Sequence, residues 1–415
     1  MKIQKFGGTS VGTPQRMKEV CNLITQEKGN IVVLSAMSGT TNSLVEIADY
    51  FKKGNPEAAS GVINRLRSKY AQHIEDLYSS EESKQRTLSF LDEEFTLLHS
   101  FACVSFTDTV EKTIVAQGEI ISTNMVTNYL TEQGIKVKLL PALSYMRLSE
   151  NGEPDLPYIK EHLSELLQAN PADLYITQGF IARNAKGDID NLLRGGSDYT
   201  ACLIGAGLKA EEIQIWTDID GMHNNDPRVV ENTEAVRQLN FEEAAYFGAK
   251  ILHPTCIQPA RYAGVPVKLL NTMDPKAPGT VINNEMMPNK IKAVAAKDNI
   301  TAIKIVSSRM LLATGFLSKV FEIFETYKTS IDMITTSEVG VSLSIDNKSQ
   351  LTQIVEELKK YGTVEVDEEM CIICVVGDIP VRMISYGGSN HNISFLVREQ
   401  DKKNALIALS AKLFN

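Results

Sequence analysis

At 415 residues, with 43% hydrophobic and 22% charged side chains, the chain has the size and composition of a globular protein of two or three domains. A net charge of −9 leaves no basic excess to neutralise nucleic-acid phosphates, and no run approaches the roughly 18 apolar residues of a membrane span. The polar start MKIQKFGG enters a strand directly, so neither a signal peptide nor a membrane anchor is expected, and the location expected is cytoplasmic. Six scattered cysteines read as reduced thiols. The pair Cys371 and Cys374 lacks the second half that a zinc site needs, and an offset of three in a strand sends side chains to opposite faces. No protein-held metal site is expected.

In chain order, Lys2 to Phe6 reads as a strand ending in "GGTS", and Asn30 to Ala36 is a continuous apolar run. The turn "MSGTTN" then feeds a helix that opens at Asn42 to Ser43. Residues 55 to 115 are charge-rich and poor in strand formers, a long helical stretch. "KVKLLPA", "DLYITQGFIA", "EIQIWTDIDG" and "PVKLLN" are further buried strands, each bounded by turn residues. Strands alternating with helices predict an α/β domain on a mostly parallel sheet, with ligands at the carboxyl ends of the strands.

After Val281 the texture changes, and "NNEMMPNK" reads as a linker. "ITAIKIVSS", Gly315 to Tyr327, "SIDMITTSE", "GVSLSID", "SQLTQIVEELKKYG" and "TVEVDEEM" spell βαββαβ, a ferredoxin-like unit. A second copy follows, because Val381 to Val397 lines up with Ile331 to Ile345. Its opening strand "CIICVVGD" reaches "VRMIS" across only Ile379 and Pro380, so it lacks the first crossover helix. The expected domains are 1–285, catalytic, and 292–415, regulatory. In the latter, about 300–370 is well formed and 371–415 is shortened.

Five turns of the first domain carry candidate chemistry. In Lys5-Phe6-Gly7-Gly8-Thr9-Ser10 the glycines let backbone N–H groups approach an anion, and Lys5 adds a point charge, although it precedes the glycines rather than following them as in a P-loop. "SAMSGTTN" (Ser35 to Asn42) offers hydroxyls for a small polar substrate or simply caps a helix. Glu119 is a carboxylate in an apolar helical stretch, suited to an ammonium group or merely exposed. In "RGGSDYTA", Arg194 can grip a carboxylate bidentately. There Asp198 is either a helix N-cap or a partner for Lys5. The fifth turn, "WTDIDGMHNNDPR", sets Thr217, Asp218 and Arg228 near a nucleotide's polar edge, with Lys250 of "FGAKILHP" in reach.

These stretches, in this order and spacing, resemble aspartate kinases of the amino-acid kinase family, with paired ACT units at the C-terminus. The resemblance implies a three-layer αβα kinase domain and a ferredoxin-like regulatory domain. It implies transfer of the ATP γ-phosphoryl to the side-chain carboxylate of L-aspartate, giving 4-phospho-L-aspartate at the head of lysine, threonine and methionine biosynthesis, with Mg²⁺ carried on ATP. Lys5 and Asp198 would be catalytic, and Lys5, Gly7, Gly8, Thr217, Asp218, His223, Arg228 and Lys250 would bind ATP. Thr41, Glu119, Arg194 and Ser197 would bind aspartate, Glu119 meeting its ammonium and Arg194 its α-carboxylate.

The resemblance also implies an amino-acid effector, lysine by the look of "IDMITTSEV", at Met310, Gly315, Phe316, Leu317, Asp332, Ser337 and Glu338, and a homodimer through the ACT units. His223 stands where relatives commonly have tyrosine, and the shortened second ACT unit is the larger departure. The alternatives from other classes are an amino-acid sensor that has lost catalysis and a kinase for a different amino acid. Retention of Lys5 and Asp198 speaks against the first, and Glu119 with Arg194 against the second.

Overall fold

The computed structural model describes residues 1–192, 195–246, 252–287, 290–307, 314–336, 339–377 and 392–414. The chain divides into two compact units. The first comprises Met1–Met222, Arg237–Phe241 and Leu252–Asn284, and the second His223–Val236, Glu242–Ile251 and Glu285–Asn415.

The first half of the first unit runs β1 (Lys2–Phe6), α1 (Pro14–Ile24), β2 (Asn30–Leu34), α2 (Thr40–Lys52), α3 (Pro56–Leu77), α4 (Glu81–Ser100), α5 (Asp108–Glu132) and β3 (Val137–Leu140). Next come α6 (Leu156–Ala169), β4 (Leu174–Gln178), β5 (Ile181–Arg183), β6 (Ile189–Asn191), α7 (Gly196–Leu208) and β7 (Glu212–Thr217). The short strands β8 (Met222–His223), β9 (Ala235–Val236) and β10 (Gln238–Asn240) lead to α8 (Phe241–Tyr246), α9 (Pro254–Ala263), β11 (Val267–Asn271) and β12 (Thr280–Asn283).

The main sheet has the order β10-β12-β11-β7-β1-β2-β4-β3. From β11 to β3 every neighbouring pair is parallel, and β12 reverses direction against β11. β2 and β4 are buried at every position, as strands covered by helices on both faces must be. Alternation along β1 then decides the layers. Phe6 joins Val32 and Leu34 in the core beneath α1 to α5, whereas Ile3 and Ile213 lie against α7 on the other face. Lys5 shares the Ile3 face, so its side chain emerges on the α7 side at the carboxyl end of β1. There β1 has β2 on one side and β7 on the other, the switch point at which doubly wound sheets bind ligands.

The second unit contributes β13 (Ile291–Val306), α10 (Phe316–Thr326), β14 (Met333–Thr336), β15 (Gly340–Ile345), α11 (Leu351–Leu358), β16 (Thr363–Gly377), β17 (Asn392–Arg398) and α12 (Lys402–Leu413). Its antiparallel sheet has the order β14-β15-β13-β16-β17. The first four strands with α10 and α11 form the βαββαβ unit expected, over a core that includes Ile303, Phe324, Leu343 and Leu358. A second core gathers Val294, Cys371, Ile373, Val375 and Leu406.

Among the boundaries that differ from the sequence reading, two have a local cause. α2 begins at Thr40 rather than at Asn42 to Ser43, because Gly39 turns the chain in the left-handed region at φ +80° and the helix starts at once. β13 begins at Ile291, not Ile300, since Ala293–Lys297 pairs with Ile372–Val376 of β16. The polar run Lys297-Asp298-Asn299 hides that continuity. It is a β-irregularity, with Asn299 (φ +59°) and Glu369 (φ +55°) of the partner strand both left-handed. Residues 378–391, which hold most of the expected shortened crossover, lie outside the described residues.

Within the second unit, Lys292 of β13 meets Glu243 of α8 at 2.6 Å, with side chains 3% and 1% exposed. Removing the carboxylate strands the buried ammonium of Lys292, whose partner among the described residues is Glu243. Glu243→Leu should cost about 3–5 kcal/mol and Lys292→Met/Glu243→Leu less, read as denaturant midpoints of the second unit's unfolding.

Candidate active site

The carboxyl ends of β1, β2, β4, β7 and β11 share one edge of the main sheet, and the turns leaving them form the site. Gly7 and Gly8 follow β1 directly. A Cβ at Gly8 would lie 2.7 Å from the Ala36 carbonyl oxygen, so only glycine lets this turn close on the one after β2. Ser38 N–H donates to the Gly8 carbonyl at 3.1 Å, and the Ser10 and Thr272 hydroxyls meet at 2.8 Å, joining the turns after β1 and β11.

Lys5 Nζ lies 2.7 Å from Asp198 Oδ1, both side chains being about seven-eighths buried. Asp198 is not the N-cap of α7. That position belongs to Gly195, which is left-handed and offers no side-chain bond, and Asp198 is the third residue of the helix. A carboxylate in the first helical turn is favoured by the helix dipole, and here it also holds the ammonium of Lys5. Ser197 lies beside it, its Oγ accepting from Ser35 Oγ at 3.0 Å.

Glu119, on α5, is 4% exposed. Its Oε1 accepts from Ala36 N–H at 3.2 Å, while Oε2 is buried with no hydrogen-bond partner among the described residues. Burial pushes its carboxyl up to about 7, against the opposing pull of the Ala36 N–H. The turn around it is fixed further by Ser122, whose hydroxyl donates to the Ser35 carbonyl at 2.9 Å. An orphaned buried carboxylate oxygen at a strand-edge cleft is a ready receptor for a cationic group.

The structure thus brings Lys5, Gly7, Gly8, Glu119, Ser197 and Asp198 to one sheet edge. Thr41, the second residue of α2, is exposed beside the same turn. Thr217 ends β7, its hydroxyl donating to Asp218 Oδ1 at 3.3 Å. His223 and Arg228 belong to the second unit, where His223 Nδ1 meets Thr233 Oγ1 at 3.1 Å and Arg228 is paired with Asp226 at 2.8 Å.

Arg194 and Lys250 lie outside the described residues. So do Met310, Ser337 and Glu338 of the expected effector set. Gly315 caps α10, and Phe316 and Leu317 open it. Asp332 precedes β14 and is held by Lys297, which also reaches Asp346 at 3.1 Å.

Sequence reasoning passed over the scaffold of the site. Phe180, just beyond β4, holds φ +68°, a strained setting for an aromatic residue, and its N–H donates to Thr200 Oγ1 at 2.9 Å. The run "TQGF" carried the only signal, a strand that stops at glycine. Among the described residues no group of three or more His, Cys, Asp or Glu is arranged to hold a metal ion.

A sequence model described as the amino acid kinase family matches residues 1–271, and one for an ACT domain matches residues 361–413. The chain belongs to the amino acid kinase family. Two relatives that it matches along almost its whole length are aspartokinases. It is 34% identical to chloroplastic aspartokinase 1 of Arabidopsis thaliana, over 99% of this chain and 80% of that one. With the lysine-sensitive aspartokinase 3 of Escherichia coli K12 it is 32% identical over 99% of both, along an alignment of 447 positions. That alignment exceeds the 415 residues of this chain, so the relative carries segments that this one skips. Two structures of E. coli aspartokinase III superpose over all of both chains, with TM-scores of 0.83 for the lysine and aspartate complex and 0.87 for the aspartate and ADP complex, at 32% and 31% identity.

Glu119 makes the stability of the unliganded protein depend on pH with a definite sign. Its folded value of about 7 lies above the 4.5 of a free glutamate, so the folded chain binds the extra proton. The associated stability is complete below about pH 4.5 and lost as pH rises through 7. Glu119→Gln should therefore match the native protein near pH 4.5 and exceed it by up to roughly 3 kcal/mol at pH 8, measured by denaturant unfolding.

Proposed function

We propose that the chain is an aspartate kinase, transferring the γ-phosphoryl group of ATP to the side-chain carboxylate of L-aspartate. The observation that carries this reading is the pair of unlike carboxylates at one sheet edge. Asp198 is neutralised by Lys5, and Glu119 is buried with one oxygen unpartnered. A substrate with an ammonium group and two carboxylates complements such a site. E. coli aspartokinase III, similar along its whole length, has been crystallised with aspartate and ADP.

In the reaction an oxygen of the substrate's side-chain carboxylate attacks the γ-phosphorus, and the bond to the oxygen bridging to ADP breaks. The products are ADP and an acyl phosphate. The charge on the γ-phosphoryl oxygens is met by Lys5, held ready by Asp198, and by the N–H groups of the Gly7-Gly8 turn. Glu119 takes the substrate ammonium, Arg194 its α-carboxylate, and Thr41 and Ser197 complete the cradle. Thr217, Asp218, His223, Arg228 and Lys250 hold the nucleotide. Mg²⁺ would be carried by ATP and would supply neutralisation of phosphate charge; among the described residues no group of three or more His, Cys, Asp or Glu is placed to hold it alone.

The second unit is read as the seat of feedback by lysine, acting in the cytoplasm in a dimer formed through the ACT units. The lysine-sensitive E. coli relative, and its lysine complex, support the choice of lysine as effector.

With MgATP, trapping by hydroxylamine should give a hydroxamate with L-aspartate and none with L-glutamate. Absence of signal with aspartate overturns the reading. Lys5→Ala should lower kcat by about 100-fold or more while changing the KM for ATP little, and a change confined to that KM would make Lys5 a ground-state binder. Inhibition by L-lysine should be shallow, because the shortened second ACT unit weakens the packing that a cooperative response requires. A steep, highly cooperative lysine response would contradict that.

A further inference from the structure

The helical hairpin of α3 and α4 lies outside the turns described above, yet it grips one of them at two points. Lys69 Nζ donates to the Ser38 carbonyl at 3.0 Å, and the Tyr70 hydroxyl meets Thr40 Oγ1 at 2.9 Å. Tyr70 and Thr40 are both fully buried, and the Tyr70 ring packs at a tilt on Phe95 of α4, with centroids 6.2 Å apart.

Between the grips the turn closes by the bond from Thr40 N–H to the Met37 carbonyl at 3.0 Å. Its start, Ala36, supplies the N–H that holds Glu119. α5 fits beneath both ends of the turn because residue 118 is glycine. A Cβ there would lie 2.7 Å from Ala36 Cβ and 3.3 Å from Thr40 Cγ2. Tyr70, Thr40, Ala36 and Glu119 are thus one packed series. Burial keeps the Tyr70 phenol protonated, and the charge of Glu119 pushes it further the same way, as two close groups should.

The geometry points to Tyr70, assisted by Lys69, as a positioning residue for the amino-acid substrate, setting the 36–40 turn so that Ala36 N–H holds Glu119 ready for the substrate ammonium. This rests on the aspartate kinase reading and on the ammonium role of Glu119. Tyr70 touches no reacting atom. Its loss acts through the turn, leaving Thr40 Oγ1 buried without a partner and Ala36 N–H free to drift from Glu119.

The test is steady-state kinetics of the full chain from pH 6 to 9, for Tyr70→Phe, Thr40→Val, the double variant and Glu119→Gln, beside thermal unfolding. In the native protein the KM for aspartate should rise as pH falls through about 7, where Glu119 takes up its proton. Tyr70→Phe should raise that KM by about 3- to 10-fold at pH 7.5, the weight of one buried hydrogen bond, and move the rise to higher pH. The KM for ATP should stay within about twofold. Thr40→Val should reproduce the effect, and the double variant should add nothing, since both remove the same bond.

A Tyr70→Phe protein that unfolds earlier but keeps the native KM for aspartate and its pH profile overturns the proposal. So does an equal rise in both KM values. If Glu119→Gln also leaves the KM for aspartate unchanged, the ammonium role itself has failed. If Glu119→Gln is damaging and Tyr70→Phe silent, only the bracing has failed.

Discussion

The contact on which the site depends is the ion pair between Lys5 and Asp198, and the sheet dictates where it forms. β1 is paired on both sides, with Lys5 opposite Val33 of β2 and Ile215 of β7, so the lysine cannot slip in register without carrying Phe6 out of the core. Its side chain must leave on the α7 face, at the last turn before the glycines. A lone ammonium in that half-dry place would be costly, and a lone carboxylate in the first turn of α7 equally so. Together they are tolerable, and the cation is held at the carboxyl end of β1 beside the glycine turn. A P-loop reaches the same result with a lysine that follows its glycines. Here the lysine comes from the strand before them, and α7 supplies the counter-charge that keeps it aimed.

Glu119 is the opposite arrangement. It has the burial of a structural residue and, among the described residues, no cation to match it, which is what raises its pKa. Two carboxylates at one sheet edge therefore differ by environment, Asp198 being paired with Lys5 and Glu119 being buried with one oxygen unpartnered among the described residues. On the aspartate kinase reading, that difference would favour ligands that carry an ammonium group. A ligand lacking the ammonium leaves Glu119 either protonated or buried with an uncompensated charge, and discrimination by unpaired polar groups is stronger than discrimination by fit.

The strands and the glycine turns were legible because each signal is local. Apolar runs mark strands covered on both sides, and "GGTS" and "RGGSD" mark strand ends meeting helix starts. Whether Asp198 caps α7 or binds Lys5 was not legible, since both readings use the same four letters and differ by a pairing between residues far apart in the chain. The grip of Tyr70 on Thr40 was hidden for a similar reason. A tyrosine at helical spacing among apolar residues reads as core, and nothing local announces that its hydroxyl has a destination. β13 was truncated because Lys297-Asp298-Asn299 breaks the alternation on which strand reading relies, and only the partner strand reveals that the ladder resumes beyond the break.

That break bears on how the sheet of the second unit can bend. β13 and β16 each run through both parts of the second unit, one part built on Thr301–Val306 with α10 and α11, the other on Ala293–Lys297 with β17 and α12. Two cores joined by continuous strands cannot shift as separate bodies. Any tilt of one must pass through the ladder, and the ladder is weakest where Asn299 and Glu369 face left-handed and the register slips. Two ionic clusters sit at that place. Lys297 ties Asp332 and Asp346 on one side, and Lys402 of α12 holds both oxygens of Asp298, at 2.7 and 2.8 Å, on the other. A bulge clamped from both sides fixes the register of the two strands while leaving the ladder a local bend.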